Sequence, residues 1–138
     1  MERAYVGLGS NLGDRERTLL SAVDALAATP GVEVVAVSSF AETEPVGAVR
    51  DQPRFLNGAV AIDTSLPPRE LLDRLLEIEA EHGRVRDVPG GPRTLDLDLL
   101  VYGEEAVDEP GLTVPHPRLG EREFVLTPLR ELGWAGLD

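Results

Sequence analysis

Along this chain the spacing of apolar residues switches repeatedly between two residues, the repeat of a strand, and about 3.6, the repeat of a helix. The order of the switches leaves few folds open. Arg3–Gly9 carries Ala4, Tyr5, Val6 and Leu8 between small residues and reads as a first strand. Ser10-Asn11-Leu12-Gly13-Asp14 is turn-like, with Asp14 placed to cap a helix. Arg15–Ala28 has apolar residues at 19, 20, 23 and 26, a helical spacing that Pro30-Gly31 ends. Val32–Phe40 is a Val-rich strand, Thr43–Pro53 a loop with Pro45, Gly47 and Pro53, and Phe55–Thr64 a further strand. Ser65-Leu66-Pro67-Pro68 opens a second helix, with Ser65 as its cap and proline tolerated in the first turn. Leu71, Leu72, Leu75, Leu76 and Ile78 give that helix a buried face through about His82. A Gly/Pro-rich loop, Gly83–Thr94, leads to the strand Leu95–Tyr102. A short edge strand at Glu104–Asp108, a proline-punctuated loop at Leu112–Gly120 and a last helix at Phe124–Leu132, interrupted near Pro128, complete the chain. The order β-α-β-β-α-β plus C-terminal elements is the split-βαβ pattern, an α+β fold of ferredoxin-like type. The 138 residues suit one domain over 1–138.

Composition narrows the chemistry. There is no cysteine, which removes disulfides, thiolate nucleophiles and Cys-held metals and fits a reducing cytoplasm. The N-terminal MERAYVGLGSN has no signal-peptide character, and no run approaches the roughly 20 apolar residues of a membrane helix, so a soluble cytoplasmic protein is expected. The net charge of −12 opposes nonspecific binding to nucleic acid or an anionic membrane, but leaves room for a nucleotide held by local arginines and a divalent metal. All 13 basic residues are Arg, and Arg84, Arg86 and Arg93 fall within ten positions of one another. A monomer is the expectation.

The sharpest chemical feature is Gly91-Pro92-Arg93-Thr94-Leu95-Asp96-Leu97-Asp98-Leu99-Leu100. In a strand Leu95, Leu97 and Leu99 share one face, directed at a core, while Asp96 and Asp98 share the other with alpha carbons roughly 6.6 Å apart. Such a pair suits Mg²⁺, which takes a few carboxylate oxygens and completes its shell with water and phosphates. The plain alternative is an amphipathic edge strand with a polar outer face and Arg93 as counter-charge. Against it, Asp is disfavoured in strands and two neighbouring carboxylates repel.

Arg84, Arg86 and Arg93 bracket the Gly/Pro loop and suit bidentate phosphate contacts, or else balance Glu77, Glu79 and Glu81 on the surface. Phe55 and Asn57 open a strand. A ring can stack on a flat heterocycle and an amide can bond its edge, although a core Phe and a strand-end Asn are the commoner case. His116 sits between Pro115 and Pro117 in a stiff loop. Gly7–Gly13 lacks the Lys of a P-loop and misses the dinucleotide spacing, so it reads as a tight strand-to-helix turn.

Taken together, YVGLGSNLG (5–13), SSFAETEPVG (38–47), DQPRFLNGA (51–59), GRVR (83–86), GPRTLDLDLL (91–100) and LTVPH (112–116) resemble the 6-hydroxymethyl-7,8-dihydropterin pyrophosphokinase family along nearly the whole chain. The resemblance implies an α/β sandwich with a mainly antiparallel sheet and helices packed on it. It also implies transfer of pyrophosphate from ATP to the pterin hydroxymethyl group, with AMP as the other product, in folate biosynthesis. Asp96 and Asp98 match the residues that hold two Mg²⁺. Arg84, Arg86 and Arg93 match phosphate-side arginines, with Arg84 and Arg93 in catalytic roles. Glu79, Leu99, Thr113, His116 and Arg122 fall on the ATP side. Thr43, Val46, Phe55, Asn57, Asp96 and Phe124 fall on the pterin side. Some positions depart from relatives: Phe55 stands where many carry Tyr, Gly90 where some carry Trp, Leu76 where some carry Gln, and Gly111 and Pro117 where some carry Arg and Tyr. Two rivals stand beside this reading. A purely ligand-binding domain on the same scaffold has no need of an Asp pair next to arginines. A two-metal phosphodiesterase needs more carboxylate or His ligands than the motifs supply.

Overall fold

In chain order the elements are β1 (Glu2–Ser10), α1 (Arg15–Ala27), β2 (Val32–Val37), β3 (Ala41–Thr43), β4 (Phe55–Thr64), α2 (Pro68–Glu81), β5 (Asp96–Tyr102), β6 (Val107–Glu109), β7 (Leu112–Val114), a 3-10 turn at Leu119–Glu121 and α3 (Glu123–Glu131). The structure, a computed structural model, describes residues 1–43, 54–83, 95–117, 119–121 and 123–134. A five-stranded antiparallel sheet runs β2-β4-β1-β5, with β3 pairing β4 beyond the end of β2. With β2 and β3 taken as one interrupted strand, this is the split-βαβ order, and the α+β ferredoxin-like expectation holds.

Both faces of the sheet are covered, each for a reason visible in the side chains. On one face Ala4, Val6 and Leu8 of β1, Val60 and Ile62 of β4, and Leu97 and Leu99 of β5 meet Leu19, Ala22 and Leu26 of α1 and Leu71, Leu75 and Ile78 of α2. Burying each such leucine or isoleucine contributes about 1.5–3 kcal/mol. On the other face Tyr5, Ala59, Ala61, Leu100 and Val101 pack with Leu119 and with Leu126 and Leu129 of α3. The face of β5 that carries the aspartates is therefore shared with a second core.

A bulge makes this sharing possible. Tyr5 pairs with Val101 but Val6 pairs with Leu99, so Leu100 is an extra residue on β5. Unbroken alternation would send Val101 to the core of Leu99. The bulge instead puts Leu100 and Val101 together in the second core and returns Tyr102 to the first.

Several sequence expectations change. Val32–Phe40 is not one strand. At Ser38 the main chain donates to Ala59 O at 2.9 Å and the Ser38 hydroxyl accepts from Ala59 N at 2.8 Å, so the ladder is interrupted without leaving Ala59 unsatisfied. Phe40 then fills the space over Gly58, where a Cβ would lie 2.6 Å from its ring, and pairing resumes as β3. Ser65 does not cap α2: Pro67 occupies the cap position with no side-chain bond, and Pro68 brings no N–H to satisfy. Asp14 does cap α1, accepting from Arg17 N at 3.2 Å. The edge strand placed at Glu104–Asp108 lies at Val107–Glu109, and part of the expected loop Leu112–Gly120 is its partner β7, the two joined through Gly111 at φ +75°. Pro128 does not interrupt α3, which continues through it and buries Leu126, Pro128 and Leu129. The strand expected at Arg3–Gly9 is found, one residue longer at each end, so only the later part of Gly7–Gly13 is a turn, which bends at Gly13, φ +68°.

Candidate active site

Asp96 and Asp98 are half-buried on β5, on the face opposite Leu97 and Leu99. Across the ladder each faces a glycine of β1: Asp96 pairs with Gly9 and Asp98 with Gly7. Beyond those glycines lie Asn57 and Ala59 of β4, and beyond Asn57 lies Ala41 of β3. The row Ala41–Asn57–Gly9–Asp96 thus sets an amide and a carboxylate on either side of a strip of bare backbone. The closeness is measured at Gly9, where a Cβ would stand 2.9 Å from Asn57 Oδ1, 3.8 Å from Phe55 Cδ1 and 3.9 Å from Asp96 Cβ. A glycine inside a strand marks such a close approach.

Four of the pterin-side candidates, Thr43, Phe55, Asn57 and Asp96, gather at this end of the sheet. Asn57 Nδ2 donates to Thr43 Oγ1, which turns its carbonyl oxygen toward Gly9. Phe55 lies two residues from Asn57 on the same side of β4, and both are half-buried. Phe124 is half-buried on α3, the helix that packs over this face against β4. Arg15 supports the group from α1: it donates to Arg54 O at 2.8 Å and pairs with the carboxylate of Glu42, tying the residues next to Phe55 and Thr43. The hydrogen bond from Arg15, with its charge, holds the Glu42 carboxyl below the ordinary carboxylate range.

The described ATP-side candidates, Glu79, Leu99, Thr113 and His116, are arranged around β5. Glu79, on α2 and only 1% exposed, accepts from the main-chain N–H of Leu97 at 2.7 Å through Oε2. Leu99 is buried in the first core, so its side chain is not on the aspartate face. Thr113 is exposed on β7, and His116 is half-buried, its main-chain N–H donating to Leu100 O at 2.8 Å. That bond fixes the start of the segment after β7 beside β5. Arg84, Arg86, Arg93, Arg122 and Val46 lie outside the described residues.

Three contributors were missed in the sequence: the bare strip of Gly7 and Gly9, the bond from Glu79 to Leu97, and the Arg15 bridge. The first had a signal, since Gly7 and Gly9 alternate with Val6 and Leu8 at strand period. The other two join residues far apart in the chain and leave no local pattern.

The donor set suits Mg²⁺. Two carboxylates on one strand face are hard oxygen donors beside a strip of two glycines. Among the described residues no group of three or more His, Cys, Asp or Glu could hold a metal. A protein pair completed by water and substrate phosphates is the usual manner of Mg²⁺ in phosphate chemistry, whereas zinc favours a fuller set of His and Cys. Among the described residues, no helix is long and apolar enough to cross a membrane.

The chain is 50% identical over 132 residues to the 2-amino-4-hydroxy-6-hydroxymethyldihydropteridine pyrophosphokinase of Pseudomonas aeruginosa, spanning 96% of this chain and 81% of that protein. It is 54% identical over 129 residues to the enzyme of the same name from Bacillus subtilis, spanning 94% and 77%. With that of Methylorubrum extorquens it shares 52% over 132 residues, spanning 96% and 83%. The profile of the 7,8-dihydro-6-hydroxymethylpterin-pyrophosphokinase family matches residues 5–133, and the chain belongs to that family.

Proposed function

We infer that the chain transfers the pyrophosphoryl group of ATP to the hydroxymethyl oxygen of 6-hydroxymethyl-7,8-dihydropterin, releasing AMP, the folate-pathway reaction for which its family is named. The observation that carries this reading is the row of Asn57, Gly9 and Asp96: an amide for a heterocycle edge, a side-chain-free floor, and a carboxylate at the phosphate side, all on adjacent strands. The hydroxymethyl oxygen attacks the β-phosphorus and gives up its proton to solvent, the bond from that phosphorus to the oxygen it shares with the α-phosphorus breaks, and AMP departs with that oxygen.

Catalysis of this kind is mostly positioning and charge stabilisation, so no nucleophilic side chain is required. Asp96 and Asp98 would hold two Mg²⁺. When bound, the ions neutralise phosphate charge and lower the pKa of a coordinated hydroxyl. Asp96 borders both substrates, because it faces Asn57 across Gly9. Thr43, Asn57 and Val46 would meet the pterin edge, and Phe55 and Phe124 its faces. Arg84 and Arg93 would stabilise charge on the moving phosphates. Arg86, Arg122, Thr113, His116 and the main chain at Leu99 would line the ATP side, with Glu79 behind them. A single cytoplasmic domain over 1–138 acting as a monomer, with no nucleic-acid or membrane partner, belongs to the same proposal.

The test is AMP formation from Mg²⁺ and ATP with and without 6-hydroxymethyl-7,8-dihydropterin. AMP release is expected only with the hydroxymethyl compound, and a 6-methyl analogue should give none. Equal AMP release without the pterin would overturn the reading.

A further inference from the structure

Glu79 occupies a position that local rules disfavour. It lies in the last turn of α2, where the helix dipole opposes a negative charge and the turn itself carries no basic residue. It is also 1% exposed, and burying a carboxylate is costly. Residues that break local rules in this way tend to be retained for the site they serve. One of the bonds it makes points to that service. β5 ends the strand path of the sheet, so its outward N–H groups face away from β1. The outward N–H of Leu97 sits between Asp96 and Asp98, and it donates to Glu79 Oε2 at 2.7 Å, the length of a charge-assisted hydrogen bond.

We propose that Glu79 is a positioning residue of the phosphate-transfer site: its buried carboxylate holds the β5 main chain between Asp96 and Asp98 and so fixes how the two carboxylates stand relative to each other. The proposal rests on the pyrophosphoryl-transfer reading of the site and deepens it. Glu79 is not a third ligand, since among the described residues it joins no metal-competent cluster of three. It acts through Leu97. A strand edge left to water can twist and breathe, and the carboxylates on it would then present a range of separations. Tied to α2, which packs in the first core through Leu71, Leu75 and Ile78, the edge takes its position from the rigid part of the molecule. Partners of this kind, one step behind metal ligands, typically change metal affinity or activity 10–100-fold when removed.

The experiment compares Glu79→Leu, which keeps the volume and loses the acceptor, with Glu79→Gln, which keeps an acceptor oxygen and loses the charge. Amide hydrogen exchange of the metal-free protein reads the bond itself. Leu97 should lose protection at least about tenfold in Glu79→Leu relative to Val6 and Leu8 of β1, and should keep most of it in Glu79→Gln. A Mg²⁺ titration, in the presence of a non-hydrolysable ATP analogue and followed at the Asp96 and Asp98 amide signals, should need about 10–100-fold more Mg²⁺ in Glu79→Leu. The KM for pterin should move less than about threefold, and Glu79→Gln should recover most of the Mg²⁺ response. Loss of protection at Leu97 with an unchanged Mg²⁺ requirement would reduce Glu79 to a packing role and overturn the proposal. So would equal damage in both variants, which would mean that charge matters and the bond does not. Should Glu79→Leu not fold, Glu79→Asp, which withdraws the carboxylate by one methylene, must raise the Mg²⁺ requirement, and an unchanged requirement overturns the proposal. If the wild-type protein released no AMP, the functional reading would fail by itself, while the exchange and Mg²⁺ titrations would still decide the role of Glu79.

Discussion

Replacing Gly9 by Ala adds a single methyl group at the centre of the site, and its consequences can be worked from three distances. The new Cβ would stand 2.9 Å from Asn57 Oδ1, nearer than such atoms approach, so the Asn57 amide must move. Phe55 Cδ1 at 3.8 Å and Asp96 Cβ at 3.9 Å are ordinary contacts and need not yield. Displacing Asn57 strains or breaks its bond to Thr43, a net loss of about 1 kcal/mol. Alanine is favoured over glycine in a strand interior by about 0.5–1 kcal/mol, which offsets most of that loss. Stability should therefore change by less than about 1 kcal/mol. Pterin binding has no such offset. An edge hydrogen bond left unmade costs about 1–3 kcal/mol, or about 5–150-fold in affinity. The assay is calorimetric titration of pterin into protein saturated with Mg²⁺ and a non-hydrolysable ATP analogue, with separate titration of the analogue and a melting curve. The reasoning predicts weak pterin binding, normal analogue binding and a nearly normal melting temperature. Unchanged pterin affinity would refute the placement of the pterin edge at Asn57, and parallel loss of both ligands and of stability would make Gly9 a packing residue only.

Asp96→Ala or Asp98→Ala should lower kcat by about a thousandfold or more, since metal neutralisation of phosphate charge supplies several kcal/mol; steady-state kinetics beside an unchanged melting temperature checks this, and near-normal kcat in either variant would contradict it. Phe124→Ala should weaken pterin binding by about 0.5–1.5 kcal/mol beyond the lost burial while ATP-analogue binding is kept, as read by the same calorimetry. The Glu42 carboxyl, depressed by its bond to Arg15, contributes stability above the ordinary carboxylate pKa that is lost as pH falls through its folded value. The melting-temperature gap between wild type and Glu42→Gln should accordingly be largest near neutrality and close in acid, and a gap independent of pH would show that the pair does not act through charge.

The legible parts of the sequence were those where one period governs a whole element. Phe55–Thr64 is found at its expected bounds because Val60, Ile62 and Thr64 face one core while Ala59 and Ala61 face the other. Asp96 and Asp98 share a face as expected, since they precede the bulge. The bulge at Leu100 has no local mark: it arises because Leu100 and Val101, neighbours in sequence, both enter the second core, which only the packing of α3 reveals. The hairpin of β6 and β7 escaped because its strands, Val107–Glu109 and Leu112–Val114, are too short to show alternation. In the site, residues carrying a chemical group were named from motif, but Gly7 and Gly9 act by lacking one. The bond from Glu79 to Leu97 spans 18 positions and joins a side chain to a main chain, which no spacing rule encodes.

The most direct test of the central claim is the fate of the β-phosphate. ATP labelled with ³²P at the β position should deliver the label to the pterin, as its diphosphate, with AMP as the unlabelled nucleotide product. If the β label is found in ADP instead, with a pterin monophosphate as the other product, the chain transfers a single phosphoryl group and the account of its site is wrong.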